Sequence, residues 1–227
     1  MPTLFLIGSG QADPLDYYQD LIQQSDTIVG IDGGTNLLFS LQCKPEWVIG
    51  DNDSIHETTL QWLEAFQIKP LLYPIEKNQS DFELAAERII QNYSSGVIYL
   101  AAMLGGRIDH ELMNFHIGAL LNRAGFTPFF VSEHTWIGYI GSGKTFKGTG
   151  RAGDTLSIIP FSDFIWIKEL VGLKYPLLNK KVEKLCTRGL SNVLLSNSFE
   201  IVTAEGEALL VLHSKQRIRS LLLHQGG

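Results

Sequence analysis

Several absences narrow the field before any motif is considered. The 227-residue chain has only two cysteines, Cys43 and Cys186. They are far apart and fit no metal-ligand spacing, so the expectation is reduced thiols in a cytoplasmic protein rather than a disulfide framework or thiolate metal site. Positive charge is also scarce, with 18 Lys and Arg against 24 Asp and Glu and a net charge of −6. Nucleic acids and anionic membranes both select a basic surface, so neither is expected as a partner. A polyphosphate substrate would need a metal ion or local cations. No apolar stretch approaches the ~20 residues that cross a bilayer, and the start MPTLFLIGSGQADPLD has no basic n-region. A cytosolic protein is expected. What is present, 44% hydrophobic and 19% charged residues, suffices for one large core or two small ones.

A helix is missing where one motif requires it. GYIGSGKT at 138–145 matches the phosphate-loop pattern at Gly138, Gly143, Lys144 and Thr145. That loop works when a helix opens at its end and adds N-terminal N–H groups. Here FKGTGRAGDTLSIIPF follows, with Gly148, Gly150 and Gly153 in its first nine residues and no 3.6-residue apolar period. Each interior glycine would cost a helix roughly 1 kcal/mol relative to alanine. The octapeptide is expected to be a Gly-rich β-turn at a domain boundary, and a phosphate-loop NTPase is the weaker reading.

The two halves have different periods. From residue 3 to 131, apolar runs such as TLFLIG, TIVGID, WVIGD, KPLLY, VIYLAAM and TPFFVS alternate with helical patterns. This predicts an α/β fold with a mostly parallel sheet flanked by helices. After about residue 135 short β-rich segments (TWIGYI, DTLSIIPF, DFIWIKEL, SNVLLS, FEIVTA, EALLVLHS) are separated by turn residues such as Glu205-Gly206. They predict an all-β sandwich or barrel, with domains at 1–134 and 135–227. The tail KQRIRSLLLHQGG fits an edge strand or a short helix.

Acidic or glycine clusters follow several of the first-half strands: Asp32 in IDGGTN, Asp51 and Asp53 in GDNDS, Asp81 in NQSDFE and Asp109 in LGGRIDH. Placed at strand carboxyl ends, they would converge on one crevice. A single such aspartate is often a helix N-cap, and Ser80-Asp81-Phe82-Glu83 also looks like a capping arrangement. Capping accounts poorly for Asp51-x-Asp53, because two carboxylates this close repel unless a cation lies between them. Oxygen ligands without His or Cys favour Mg²⁺. Gly33-Gly34, Gly105-Gly106 and Gly8-Ser9-Gly10 would let backbone N–H groups approach anionic oxygens, while Arg107 and Lys77 would supply cations. The pattern reads as Mg-nucleotide chemistry.

In order and spacing these residues resemble the thiamine pyrophosphokinase family. IDGGTN is similar to the family's DGGAN, GDNDSI to GDFDSI, NQSDFELA to the latter half of DKDxTDFELA, and LGGRIDHELMN to GGRxDHxLxN. GLKYPL at 172–177 and GLSN at 189–192 match its two β-domain motifs. Where the family has DKDxTD this chain has EKNQSD, so Glu76 and Asn78 replace two aspartates and Ser80 a threonine; Asn52 replaces a phenylalanine. The resemblance implies transfer of a pyrophosphoryl group from ATP to thiamine with release of AMP. It also implies a homodimer whose sites lie between domains of partner subunits. Asp51, Asp53 and Asp81 would form the Mg²⁺ shell, with Asp109 as an outer ligand or orienter. Asp32, Gly33, Gly34, Asn36, Ser54, Lys77, Ser80, Gly106, Arg107, His110 and Asn114 would serve ATP and its phosphates, and Tyr175, Ser191 and Asn192 would hold thiamine. Asp81 or Asp53 would take the hydroxyl proton. His110 either orients Asp109 or faces solvent. A non-catalytic thiamine or nucleotide sensor is the rival reading, prompted by Glu76 and Asn78.

Overall fold

The computed structural model describes residues 1–51, 53–73, 78–218 and 224–226. The chain divides into two compact units, Met1–Ser132 and Glu133–Gly227.

In unit 1, strands β1 (Thr3–Ile7), β2 (Thr27–Ile31), β3 (Trp47–Gly50), β4 (Leu71–Leu72), β5 (Gly96–Ala101) and β6 (Phe126–Val131) alternate with helices. These are α1 (Leu15–Gln23), α2 (Thr35–Ser40), α3 (Glu57–Ala65), α4 (Asp81–Asn92) and α5 (Ile108–Arg123). All six strands pair in parallel, in the order β6-β5-β1-β2-β3-β4. A parallel strand with helices on both faces has no solvent side, which is why TLFLI is an unbroken apolar run. Leu4, Phe5, Leu6 and Ile7 are all 0% exposed. The order reverses between β1 and β5, so the loops leaving those two strands diverge and leave a crevice at their carboxyl ends.

Unit 2 is antiparallel: β7 (Thr135–Ile140), β8 (Thr145–Thr149), β9 (Thr155–Val171), β10 (Leu177–Glu183), β11 (Asn192–Val193), β12 (Ser198–His213) and β13 (His224–Gly226). DTLSIIPF and DFIWIKEL, expected as two strands, are one 17-residue strand, β9. FEIVTA and EALLVLHS likewise form the single strand β12. The expected turn at Glu205-Gly206 is instead a bulged stretch with register shifts between Val202 and Ala208. Gly206 has φ +91°, and a Cβ there would collide with the Phe164 carbonyl oxygen. A glycine with positive φ serves a bulge as well as a turn, and composition does not separate the two. The bend lets one edge of β12 pair with β8 through Ser198–Val202 and with β7 through Ala208–His213, while its other edge pairs with β9. The tail pairs as β13 with β8.

GYIGSGKT spans the end of β7, a turn at 141–144 and the first residue of β8; a strand, not a helix, follows it. The buried Thr203 hydroxyl accepts the Lys144 N–H at 3.1 Å and donates to the Gly141 carbonyl, while the Lys144 residue is exposed. The turn is therefore fastened by Thr203 and not by its lysine. Thr203→Val should lower unfolding free energy by about 1–3 kcal/mol, the cost of buried polar groups left unpaired. Lys144→Ala should stay within about 0.5 kcal/mol. Denaturant melts of both variants check the ranking.

Candidate active site

The crevice at the β1/β5 reversal is a cleft of about 470 Å³. Asp32, Asp51, Ser80, Asp81, Gly106, Arg107, His110 and Asn114 line it, together with the Gly8-Ser9-Gly10 loop. Asp32 follows β2 and Asp51 follows β3, and because Ile31 and Ile49 are register partners the two carboxylates emerge side by side. One carboxylate oxygen from each of Asp32, Asp51 and Asp53 lies within 4.8 Å of the other two. The acidic pair read from the sequence thus gains Asp32, which had been expected to contact nucleotide, as its third member. Asp81, expected in that group, lines the same cleft at the start of α4.

Backbone geometry makes this clustering feasible. Asp32 adopts φ +47° in a short 3₁₀ turn, Asp32–Gly34, a conformation that non-glycine residues seldom take. A Cβ at Gly50 would sit 3.1 Å from the Asp32 Cβ, so glycine there gives Asp32 its room. The Asp53 N–H donates to Asp51 Oδ1 at 3.2 Å and folds the acidic loop over its first carboxylate. The negative charge of Asp51, then desolvation and Asp32, push the exposed Asp53 carboxyl above its ordinary range. Asp32 Oδ1 is buried without a hydrogen-bond partner. A buried oxygen without a hydrogen-bond partner, on one of three clustered carboxyl groups, is the chemistry of a hard divalent-cation site.

The glycine segments do less hydrogen bonding toward the cleft than expected. The N–H groups of Gly8, Gly10 and Gln11 donate to the carbonyls of Ala101, Ala102 and Leu104, and the Gly106 N–H donates to Glu111 Oε1 at 2.9 Å. Neither Gly33 nor Gly34 has positive φ; a Cβ at Gly34 would collide with the carbonyls of Ile7 and Gly8. These glycines chiefly permit close packing of loop on loop, while Gly105, at φ +81°, supplies the turn. Asn114 donates to the Met103 carbonyl at 2.8 Å, so together with Glu111 it fixes the loop between β5 and α5. The sequence reading missed Glu111, because its partner is a backbone N–H rather than a side chain.

Asp109 does not line the cleft. It takes a bidentate contact from Arg107, Nε to Oδ1 at 3.2 Å and Nη2 to Oδ2 at 2.6 Å, which holds its carboxyl below the usual range. This makes Asp109 the orienter of a guanidinium that does line the cleft. The His110 backbone N–H also donates to Asp109, and the exposed His110 lines the cleft. Ser80 caps α4 by accepting the Glu83 N–H at 3.2 Å. Asn36 and Ser54 are placed outside the lining: Asn36 donates to the Ser54 carbonyl and accepts from the His56 N–H. Lys77, Glu76 and Asn52 fall outside the described residues.

Unit 2 has its own pocket of about 260 Å³, walled by leucines such as Leu156, Leu170 and Leu173, with Tyr175, Arg188 and Asn192. Asn192 Oδ1 accepts the Tyr175 N–H at 3.0 Å and its Nδ2 donates to the Tyr175 carbonyl at 2.7 Å. This clamp holds a tyrosine that is 60% exposed, so Tyr175 is not a core residue. Ser191, at φ +54°, donates its N–H to Ser157 Oγ and lies beside the pocket lining.

Residues 18–126 match the family model for the catalytic domain of thiamin pyrophosphokinase. A curated thiamine pyrophosphokinase from Bacillus subtilis is 25% identical over 211 residues, 93% of this chain and 98% of its own length. The crystal structure of thiamine pyrophosphokinase from Bacillus subtilis superposes with a TM-score of 0.79 at 25% identity, covering 94% of this chain and 99% of that one. A thiamin pyrophosphokinase from Candida albicans, at 19% identity, shares the fold with a TM-score of 0.81 over 93% of this chain and 88% of its own. The catalytic-domain match falls on the segment that carries Asp32, Asp51, Asp53, Asp81 and Arg107, and over nearly its whole length the chain is similar to thiamine pyrophosphokinases.

Proposed function

We propose that this enzyme transfers the pyrophosphoryl group of ATP to the hydroxyl of thiamine, giving thiamine diphosphate and AMP, with Mg²⁺ as its metal. The observation that carries the reading is the Asp32, Asp51 and Asp53 carboxylate group, with its orphaned buried oxygen, in a switch-point crevice within the segment that matches the thiamin pyrophosphokinase catalytic domain. All three donors are hard oxygens with no His or Cys among them, which fits Mg²⁺. Held there, the ion would neutralise polyphosphate charge.

The remaining chemistry falls to side chains around the cleft. Arg107, aimed by Asp109, would bind the phosphates and the charge that develops on the transferred group. Asp81 or Asp53 would accept the thiamine hydroxyl proton as that oxygen attacks the β-phosphorus and AMP leaves; a loose transition state asks little of the base. Unit 1 would be the nucleotide-binding catalytic domain and unit 2 the thiamine-binding domain. In unit 2, Tyr175 would stack on the thiazolium ring, with Asn192 fixing the tyrosine backbone and Ser191 beside it. The reading further includes a cytoplasmic homodimer with sites formed between subunits, as the resemblance implies.

Incubation of the full chain with ATP, thiamine and Mg²⁺ tests the reaction. AMP and thiamine diphosphate should appear together, and only when all three are present; tight binding without AMP would identify a sensor. Asp53→Asn should lose at least ~100-fold in turnover with the fold intact, as expected for loss of a charge from a metal shell. Lys144→Ala should remain within a few fold of the parent. The reverse ranking would exclude the carboxylate cleft as the site.

Tyr175 separates stacking from packing. Tyr175→Ala should raise the KM for thiamine roughly 2- to 30-fold, the worth of a cation–π contact, and leave the KM for ATP alone. Tyr175→Trp should hold or lower the KM for thiamine with Tm nearly unchanged, because a 60% exposed ring has room to grow. A large fall in Tm with unchanged thiamine affinity would contradict both.

A further inference from the structure

Asn36 is the second residue of α2, directly after the Asp32–Gly34 turn. Both ends of its carboxamide engage the acidic loop between β3 and α3. Nδ2 donates to the Ser54 carbonyl at 2.9 Å, and Oδ1 accepts the His56 N–H at 2.9 Å. These bonds span 18 and 20 residues of sequence, so they are tertiary ties and not local turn bonds. The loop lies against the turn at two further points: a Cβ at Gly33 would meet Ser54 Oγ at 2.9 Å, and one at Gly50 would meet the Asp32 Cβ at 3.1 Å. The loop so held contains Asp51 and Asp53, and the turn it is held to contains Asp32. Three carboxylates at this separation repel one another, which drives the loop away from the turn. A carboxamide at position 36 opposes that motion from outside the cleft.

We propose that Asn36 is a positioning residue that clamps the Asp51-Asp53 loop to the Asp32 turn and so preorganises the three carboxylates for a divalent cation. Asn36 itself touches neither the cation nor the nucleotide; it acts by holding Ser54 and His56. Ligand groups held by outer hydrogen bonds bind metal more tightly because the shell needs no rearrangement on binding. The proposal rests on the reading that Asp32, Asp51 and Asp53 hold the metal ion.

The test uses the full chain without nucleotide and Mn²⁺ as the probe, with free Mn²⁺ followed by electron paramagnetic resonance and Tm recorded in EDTA. Asn36→Ala should weaken Mn²⁺ binding roughly 10- to 100-fold and leave the metal-free Tm nearly unchanged. His56→Pro removes the N–H that Oδ1 accepts, together with an exposed imidazole, at a residue whose φ of −66° already suits proline. It should weaken Mn²⁺ binding about 2- to 12-fold, the worth of one hydrogen bond. Because both changes cut the same tie, the double variant should bind Mn²⁺ within about twofold of Asn36→Ala alone. Unchanged Mn²⁺ affinity in Asn36→Ala, or losses that multiply in the double variant, would overturn the clamp while leaving the metal reading in place. No Mn²⁺ binding by the unsubstituted chain would overturn the metal reading and the clamp with it.

Discussion

Holding three carboxylates within 4.8 Å of one another is the constraint on which the rest of unit 1 depends. Like charges at that range raise the proton affinity of at least one member, as the Asp53 carboxyl shows, and they push their loops apart. The parallel sheet answers by delivering Asp32 and Asp51 from neighbouring strands in fixed register. Glycine at position 50 and the left-handed backbone of Asp32 then let the side chains face one another. The Asp51–Asp53 contact and the Asn36 ties hold the second loop where repulsion would displace it.

A second theme is how many polar side chains around the two pockets serve the backbone. Asn36, Asn114 and Asn192 each bond to main-chain atoms of a loop, and Asp109 is engaged by Arg107. Asparagine suits this work because one short side chain carries both a donor and an acceptor, so it can close a tie in two directions. On the proposed reading, the reactive or ligand-facing groups are carried by neighbours: carboxylates beyond Asn36, Arg107 beyond Asp109, the Tyr175 ring beside Asn192. Positioning and contact are divided between different residues, as precise placement of a reacting group requires.

The parallel α/β half, the β half and the acidic crevice were legible in the sequence because each leaves a periodic or positional mark. Strands buried on both faces read as unbroken apolar runs, and Asp32, Asp51 and Asp109 each follow one. Legibility stopped where the deciding contact is made by backbone. The membership of Asp32 with Asp51 and Asp53 depends on β2 lying next to β3, which periodicity does not encode. Glu111 and Asn36 act on main-chain groups and leave no side-chain pattern. The long strands β9 and β12 were read as four because a bulge glycine has the composition of a turn. Net charge likewise conceals that most acidic residues lie in unit 1 and most basic ones in unit 2.

The central claim is that Asp32, Asp51 and Asp53 hold one divalent ion against the phosphates of a nucleotide. Crystals of the full chain grown with Mn²⁺ and a non-hydrolysable ATP analogue, with anomalous diffraction recorded at the manganese edge, test it most directly. The account predicts an anomalous peak about 2.1 Å from carboxylate oxygens of at least two of the three aspartates, in contact with a phosphate oxygen. Nucleotide bound in the cleft with no peak at these residues, or with the ion held elsewhere, would contradict it.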